Sequence, residues 1–311
     1  MKKTVSLIIP SYNEEKNIRP FFDLCKNSLT DNFLYEYIFI NDGSKDKTLF
    51  EIKNLVEDFP EEKIIGIDFS RNFGKESAIL AGLKQASGDY ISLIDADLQQ
   101  HPRYVTQMLD LLEADENLDM VAAYQKERKE GKVLSFFKKT FYSLINKISE
   151  TEFKDNASDF RTFRSQVKDS ILDLDEYNRF SKGLFSWVGY NTKFIEYVVD
   201  ERINGKSSWS FTSLTKYALE GFVGYSILPL RIASFLGAIT SFISGIYMIY
   251  VIINKLLGNV YVSGYTTIVS LILLFAGLIL LSLGIIGEYI AKIYLEVKDR
   301  PHYIIKDIIK K

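Results

Sequence analysis

Over residues 1–228, short apolar runs alternate with longer stretches in which apolar side chains recur every three or four positions. The runs at 5–9, 35–40, 63–68, 90–94 and 120–123 are mainly β-branched, aromatic or aliphatic, the pattern of strands buried on both faces. Between them, 15–29, 47–58, 75–86 and 103–114 have helical period. This alternation predicts βαβ units and a mostly parallel, doubly wound sheet in an α/β fold. The pattern then breaks. Residues 232–253 and 265–287 contain no charged side chain, and each run is long enough to cross a bilayer as a helix. Only 254–264 joins them, so the two spans form an antiparallel hairpin.

Charge orients that hairpin. The connection carries Lys255 alone, whereas Arg231 precedes the first run and Lys292, Lys298, Arg300, Lys306, Lys310 and Lys311 follow the second. By the positive-inside rule both ends face the cytoplasm. Residues 1–4 lead directly into a strand too short for a signal-peptide core. The expected organisation is a cytoplasmic domain at 1–228, a transmembrane hairpin at 229–290 and a basic cytoplasmic tail at 291–311. The protein is thus expected to be multi-pass in the cytoplasmic (inner) membrane. Gly237, Ala238, Ser241, Ser244 and Gly245 suit helix packing and a homo-oligomer. A formal net charge of −2 gives no reason to expect nucleic acid as a partner. The lone cysteine, Cys25, makes no internal disulfide, and two histidines are too few for a His-rich zinc site.

Polar residues gather where strands end. The first strand runs into Pro10, Ser11, Tyr12, Asn13, Glu14 and Glu15, the second into Asn41, Asp42, Gly43 and Ser44. The third is followed by Arg71, Gly74 and Lys75, and the fourth by Asp95-Ala96-Asp97. The carboxyl edge of such a sheet is where α/β folds bind ligands. Two carboxylates one residue apart at that edge suit Mg²⁺ or Mn²⁺, which completes its shell with substrate phosphates and water. Asp173-Leu174-Asp175 repeats the spacing in a helix-like stretch and is assigned to a solvated surface. Tyr12 can stack on a base, and Glu14 and Asp42 can accept hydrogen bonds from base or ribose. Arg71 and Lys75, near a helix N-terminus, suit an anionic phosphate. No Gly-x-Gly-x-x-Gly follows the first strand and no full Gly-x-x-x-x-Gly-Lys-Ser/Thr loop occurs, which removes the usual dinucleotide and nucleoside-triphosphatase readings.

These segments recur in order with Ser158-Asp159-Phe160-Arg161, Gly183 to Gly189, Glu201-Arg202, Gly205-Lys206-Ser207-Ser208 and Pro229-Leu230-Arg231. Together they make the chain resemble family 2 glycosyltransferases of the GT-A fold. More narrowly, it resembles the polyprenyl-phosphate glycosyltransferases, among them dolichol-phosphate mannose synthases and bactoprenol glucosyltransferases. The resemblance implies a membrane-anchored, inverting, metal-dependent hexosyltransferase. It would move a sugar from a nucleoside-diphosphate sugar, UDP-glucose being favoured, to polyprenyl (undecaprenyl) phosphate. By position, it implies that Pro10, Tyr12, Glu14 and Asp42 hold the nucleoside, and that Asp95 and Ala96 line the nucleotide. Asp97 and Gln99 would ligate Mg²⁺ or Mn²⁺, and Arg202 and Lys206 would grip phosphate. Asp159 stands where a catalytic base is usually proposed. Asn41 departs from the pattern, since many relatives have Asp there.

A phosphate monoester has a second pKa of about 6, so the acceptor is mostly dianionic at neutral pH. It hardly needs a strong base, and Asp159 can instead position the sugar, stabilise developing positive charge, or pair structurally with Arg161 or Arg164. Residues 132–148 carry apolar side chains at helical spacing with lysines between them, as a helix in the headgroup layer, or a core-packing helix with a solvated rim, would; 213–228 is a second candidate surface helix. Two rival readings share parts of this pattern. A processive polysaccharide synthase shares the fold, but the Gln-x-x-Arg-Trp segment of such enzymes is missing. A catalytically silent membrane scaffold would not need the acidic and basic ligand set.

Overall fold

The apolar runs become β1 (Thr4–Ser11), β2 (Leu34–Asn41), β3 (Lys63–Phe69), β4 (Tyr90–Leu93) and β5 (Met120–Gln125). The stretches of helical period become α1 (Ile18–Ser28), α2 (Thr48–Asp58), α3 (Lys75–Gln85) and α4 (Arg103–Ala114). The structure is a computed structural model and describes residues 2–125, 157–199, 228–257 and 264–311. Three strands were not anticipated: β6 (Ala157–Arg164), β7 (Thr192–Tyr197) and β8 (Ile305–Ile309). Two short helices, α5 (Ser165–Leu172) and α6 (Ser181–Trp187), follow β6.

The eight strands form one sheet in the order β7-β5-β6-β4-β1-β2-β3-β8. β4, β1, β2 and β3 run parallel, so their carboxyl ends share one edge. β6 is antiparallel to both β4 and β5, and therefore starts at that same edge. Side chains alternate between faces along each strand. In β1 and β2, Val5, Leu7, Ile9, Tyr37 and Phe39 pack on one side with Phe21, Phe22 and Leu109 from α1 and α4. Ile8, Ile38 and Ile40 pack on the other with Ala78 and Ile79 of α3, Val167 of α5 and Phe185 of α6. Layers on both faces explain why these strands read as continuous apolar runs rather than alternating ones.

Residues 300–311 belong to the same compact unit as the sheet. The stretch expected as a basic tail thus contains the end of α8 and a strand. β8 pairs antiparallel with β3, Tyr303 stacks on Phe69 at 5.0 Å, and Ser77 Oγ donates to the His302 carbonyl at 3.0 Å. The second unit holds α7 (Leu228–Leu256) and α8 (Tyr265–Val297), which cover both charge-free runs and pack on each other. Its large apolar side chains face outward: Phe235, Phe242 and Leu280 are each about two-thirds exposed or more. Among the described residues, Leu274–Val297 is long and apolar enough to cross a membrane, and Ile232–Tyr247 is a shorter apolar helix.

Candidate active site

The turns after β1 and β2 hold each other. Asn13 sits in the left-handed region at φ 56°. Its N–H donates to Ser44 Oγ at 3.0 Å, and its Oδ1 accepts the Lys45 N–H at 2.9 Å. The Glu14 N–H donates to Thr48 Oγ1 at 2.8 Å, while the Glu14 carboxylate accepts from Asn17 Nδ2. Gly43, at φ +62°, is where this assembly meets the loop after β3. A Cβ there would lie 2.3 Å from the Arg71 carbonyl carbon, so only glycine fits. Asp42 closes the junction. It is buried, and its two oxygens accept the N–H groups of Phe73 at 2.6 Å and Gly74 at 2.9 Å. Burial raises its pKa, and those two N–H groups oppose the rise.

Asn41 has a local explanation. Its Nδ2 donates to the buried Asp68 Oδ1 at 2.7 Å, a bond a carboxylate at position 41 could not make when ionised. Pro10 lies near the end of β1 opposite Ile40, and Tyr12, two residues on, is 43 % exposed. Arg71 and Lys75 part company. The Arg71 guanidinium lies 4.0 Å over the Phe73 ring and donates to the Asn72 carbonyl, on the Asp42 side. Lys75 points the other way.

At the β4 tip, Gln100 fixes Asp95 at two points. The Asp95 N–H donates to Gln100 Oε1 at 2.9 Å, and Gln100 Nε2 donates back to Asp95 Oδ2 at 3.0 Å. Asp95, Asp97 and Gln99 are partly exposed, whereas Ala96, Leu98 and Gln100 between and after them are buried. Leu98 adopts φ 62°, uncommon for a branched side chain, and the turn is held by the Gln99 N–H donating to Asp97 Oδ1 at 3.1 Å. Among the described residues no three His, Cys, Asp or Glu side chains form a group that could hold a metal unaided. The donor set offered by Asp97 and Gln99 is hard oxygen and incomplete. That fits Mg²⁺ or Mn²⁺, which keeps waters and substrate phosphate oxygens in its shell.

Asp159 enters from β6. Lys75 Nζ lies 2.7 Å from Asp95 Oδ1 and 3.3 Å from Asp159 Oδ2, so one ammonium joins the β4 carboxylate to the β6 carboxylate. Burial by itself would raise the Asp159 pKa, but Lys75, Lys182 and Arg161 in turn pull it down to about 2. For Lys75, burial works against the charge, yet Asp95 and Asp159 hold its pKa above the usual value. The Arg161 side chain does not clasp the Asp159 carboxylate. Its Nε donates to the Asp159 carbonyl at 3.2 Å, another nitrogen donates to the Ser158 carbonyl at 3.0 Å, and its guanidinium lies 4.3 Å over Phe185. Arg164 is elsewhere, on the carbonyls of Leu112 and Leu118 and the Tyr90 hydroxyl. The second Asp pair stands apart: it follows the end of α5, and Asp175 is 89 % exposed with His302 Nε2 at 3.6 Å.

A family model described as Glycosyl transferase family 2 matches residues 6–172, more than half of the chain, and one described as GtrB C-terminal hairpin matches 228–293. This chain is a family 2 glycosyltransferase. It is 43 % identical to the putative glycosyltransferase CsbB of Bacillus subtilis, over 97 % of this chain and 91 % of that one. It is 39 % identical to the bactoprenol glucosyl transferase of Shigella phage SfII, over 97 % of each. Among solved structures, it resembles glucosyl-3-phosphoglycerate synthase from Mycobacterium tuberculosis in complex with Mn²⁺, UDP-glucose and phosphoglyceric acid. That likeness has TM-score 0.47 and 18 % identity, over 70 % of this chain and 76 % of that one.

The glycosyltransferase thus brings Asp95, Lys75 and Asp159 into direct contact, and joins Asp42 to the loop that carries Arg71. Arg202 and Lys206 lie outside the described residues, as do the expected surface helices at 132–148 and, except for its last residue Leu228 at the start of α7, 213–228. Sequence reasoning missed Gln100, Glu76, Ser181 and Lys182. Glu76 accepts hydrogen bonds from both the N–H and the hydroxyl of Ser181, tying the start of α6 to the start of α3. No spacing rule reveals that pairing, because the two residues are 105 positions apart. Gln100, one residue beyond Gln99 in a quoted motif, could have been found as the side chain able to reach back to Asp95.

Proposed function

We propose that the enzyme transfers glucose from UDP-glucose to a polyprenyl phosphate at the cytoplasmic face of the membrane. The reading is carried by one observation: an acidic strand edge and an outward-facing apolar hairpin occur in one chain, and bactoprenol glucosyl transferases match it over 97 % of its length. Tyr12 and the Asp42 junction supply the nucleoside side of the cleft. Asp97 and Gln99 hold Mg²⁺ or Mn²⁺, which when bound offsets negative charge growing on the departing diphosphate. Arg202 and Lys206 add cationic grip on that diphosphate.

Asp159 acts as an anion beside the reacting sugar carbon rather than as a proton acceptor. A carboxyl with a pKa of about 2 is a weak base, and the acceptor monoester is already largely dianionic above about pH 6. Rate then comes from alignment and from preorganised charge. Residues 300–311 support the topology. The chain returns after the hairpin to the sheet it left, as an even number of crossings requires. The test is transfer by the purified full chain from a panel of nucleotide sugars to undecaprenyl phosphate, with and without EDTA. Glucose-dependent, EDTA-sensitive product is expected. Transfer from another sugar nucleotide alone, or undiminished transfer in EDTA, would overturn the donor or the metal assignment.

A further inference from the structure

We propose that Lys182, on α6, is the cation that receives the phosphate of the acceptor. This rests on the reading of the protein as a polyprenyl-phosphate glycosyltransferase and adds a ligand to its site. The sheet order places the subsites. Tyr12 and Asp42 at the β1 and β2 tips lie on one side of Asp95 and Asp97 at β4, and Asp159 of β6 lies on the other. A donor with its base at β1 and β2 and its diphosphate at β4 presents the sugar toward β6. In an inverting transfer the acceptor oxygen attacks opposite the leaving diphosphate, so it arrives from the β6 and α6 side.

Asp159, Arg161 and Phe163 alternate onto the face of the sheet where α3 and α6 pack. Three cations converge there, and two of them are engaged. Lys75 is bridged between Asp95 and Asp159, and Arg161 donates to two carbonyls and lies on Phe185. Lys182 interacts through space with Asp159, Arg161, Lys75 and Glu76. It makes no hydrogen bond or ion pair at contact distance to any described residue. Its neighbour Ser181 is held by Glu76, and Leu184 and Phe185 are buried, so α6 is fixed and the ammonium is presented by a rigid element. An ammonium held among charges, with no hydrogen bond to any described residue, suits a phosphate monoester, a compact dianion. Lys182 would aim the attacking oxygen, while Asp159 beside it prevents a permanent excess of positive charge in the empty cleft.

The test uses the full chain in lipid nanodiscs, with radiolabelled UDP-glucose, Mn²⁺ and undecaprenyl phosphate. Lys182→Met should raise KM for undecaprenyl phosphate at least tenfold, leave UDP affinity within twofold of wild type, and leave Tm unchanged or higher, since it removes a cation from beside two others. Lys182→Arg should recover most of the acceptor affinity. Because the arginine variant keeps the charge, a fall of Tm in both variants, with no recovery of acceptor affinity in Lys182→Arg, would assign the residue to packing and overturn the proposal. An unchanged acceptor KM in Lys182→Met, or a loss confined to UDP affinity, would overturn it while leaving the proposed function standing. If the wild-type chain glycosylates no polyprenyl phosphate from any nucleotide sugar, the proposed function fails and this proposal with it.

Discussion

Between β1, β2 and the loop after β3, motif residues hold one another through hydrogen bonds to backbone groups. Between β4, β6 and α6, charged side chains hold one another instead. Asn13, Ser44, Thr48 and Asp42 each satisfy a backbone N–H or accept one. Lys75, Asp95, Asp159, Arg161 and Lys182 form a field in which each charge depends on the next. The first half is a rigid frame that presents Tyr12. The second is preorganised charge of the kind that stabilises a transition state. Mutations should therefore divide by region, with catalytic losses on the β4–β6 side and losses of stability or affinity on the β1–β2 side.

The largest effect is expected at Asp97. Asp97→Ala should lower the initial rate of transfer by about 10³-fold or more with a folded protein, on the scale of removing a main electrostatic contributor. Asp175→Ala, with the same local spacing but an exposed side chain, should stay near wild type in the same assay. Equal losses at both would erase the distinction between the two Asp pairs. Lys75→Ala should come next, with kcat down by roughly 10²-fold, because it removes the ammonium shared by Asp95 and Asp159. Single-turnover rates check this, and a defect limited to nucleotide binding would move Lys75 into the nucleoside half.

On the framing side, Asp42→Ala leaves the N–H groups of Phe73 and Gly74 without their acceptor. Each such loss costs about 1–3 kcal/mol, so thermal denaturation should show Tm lower by roughly 5 °C or more. Tyr12→Ala should leave Tm alone and weaken nucleotide binding by about tenfold, the scale of one lost aromatic–base stack, as titration calorimetry would read. The smallest effect is an expected absence. The Asp159 pKa falls from its ordinary 3.8 to about 2, so the stability it contributes is complete above about pH 4 and is lost as pH falls through 2. The Tm difference between wild type and Asp159→Asn should therefore be flat from pH 5 to 9. A slope there that persists when Glu76 is replaced by Gln and Lys182 by Met, the two neighbours whose own pKa values Asp159 raises, would mean that Asp159 titrates near neutrality and is available as a base.

Local pattern alone determined the five apolar strands, the four helices between them and the two long apolar helices of the C-terminal hairpin, because buried parallel strands and uniformly apolar helices write their character into consecutive residues. It also marked the tips, since loops at a sheet edge are where carboxylates gather. β6, β7 and β8 were not legible. Ala157–Arg164 mixes Asp, Arg and Thr with its two phenylalanines, because one end of β6 lines the cleft, and Ile305–Ile309 is short and mostly exposed at the sheet's margin. The partners of charged residues were not legible either. Lys75 was read with Arg71, four residues away, yet a 20-residue and an 84-residue separation in sequence brought it to Asp95 and Asp159. Asn41 read as a departure from a motif until Asp68, on the neighbouring strand, supplied the reason. Periodicity records what a segment buries, but electrostatics depends on distances across segments, and only the folded sheet fixes those.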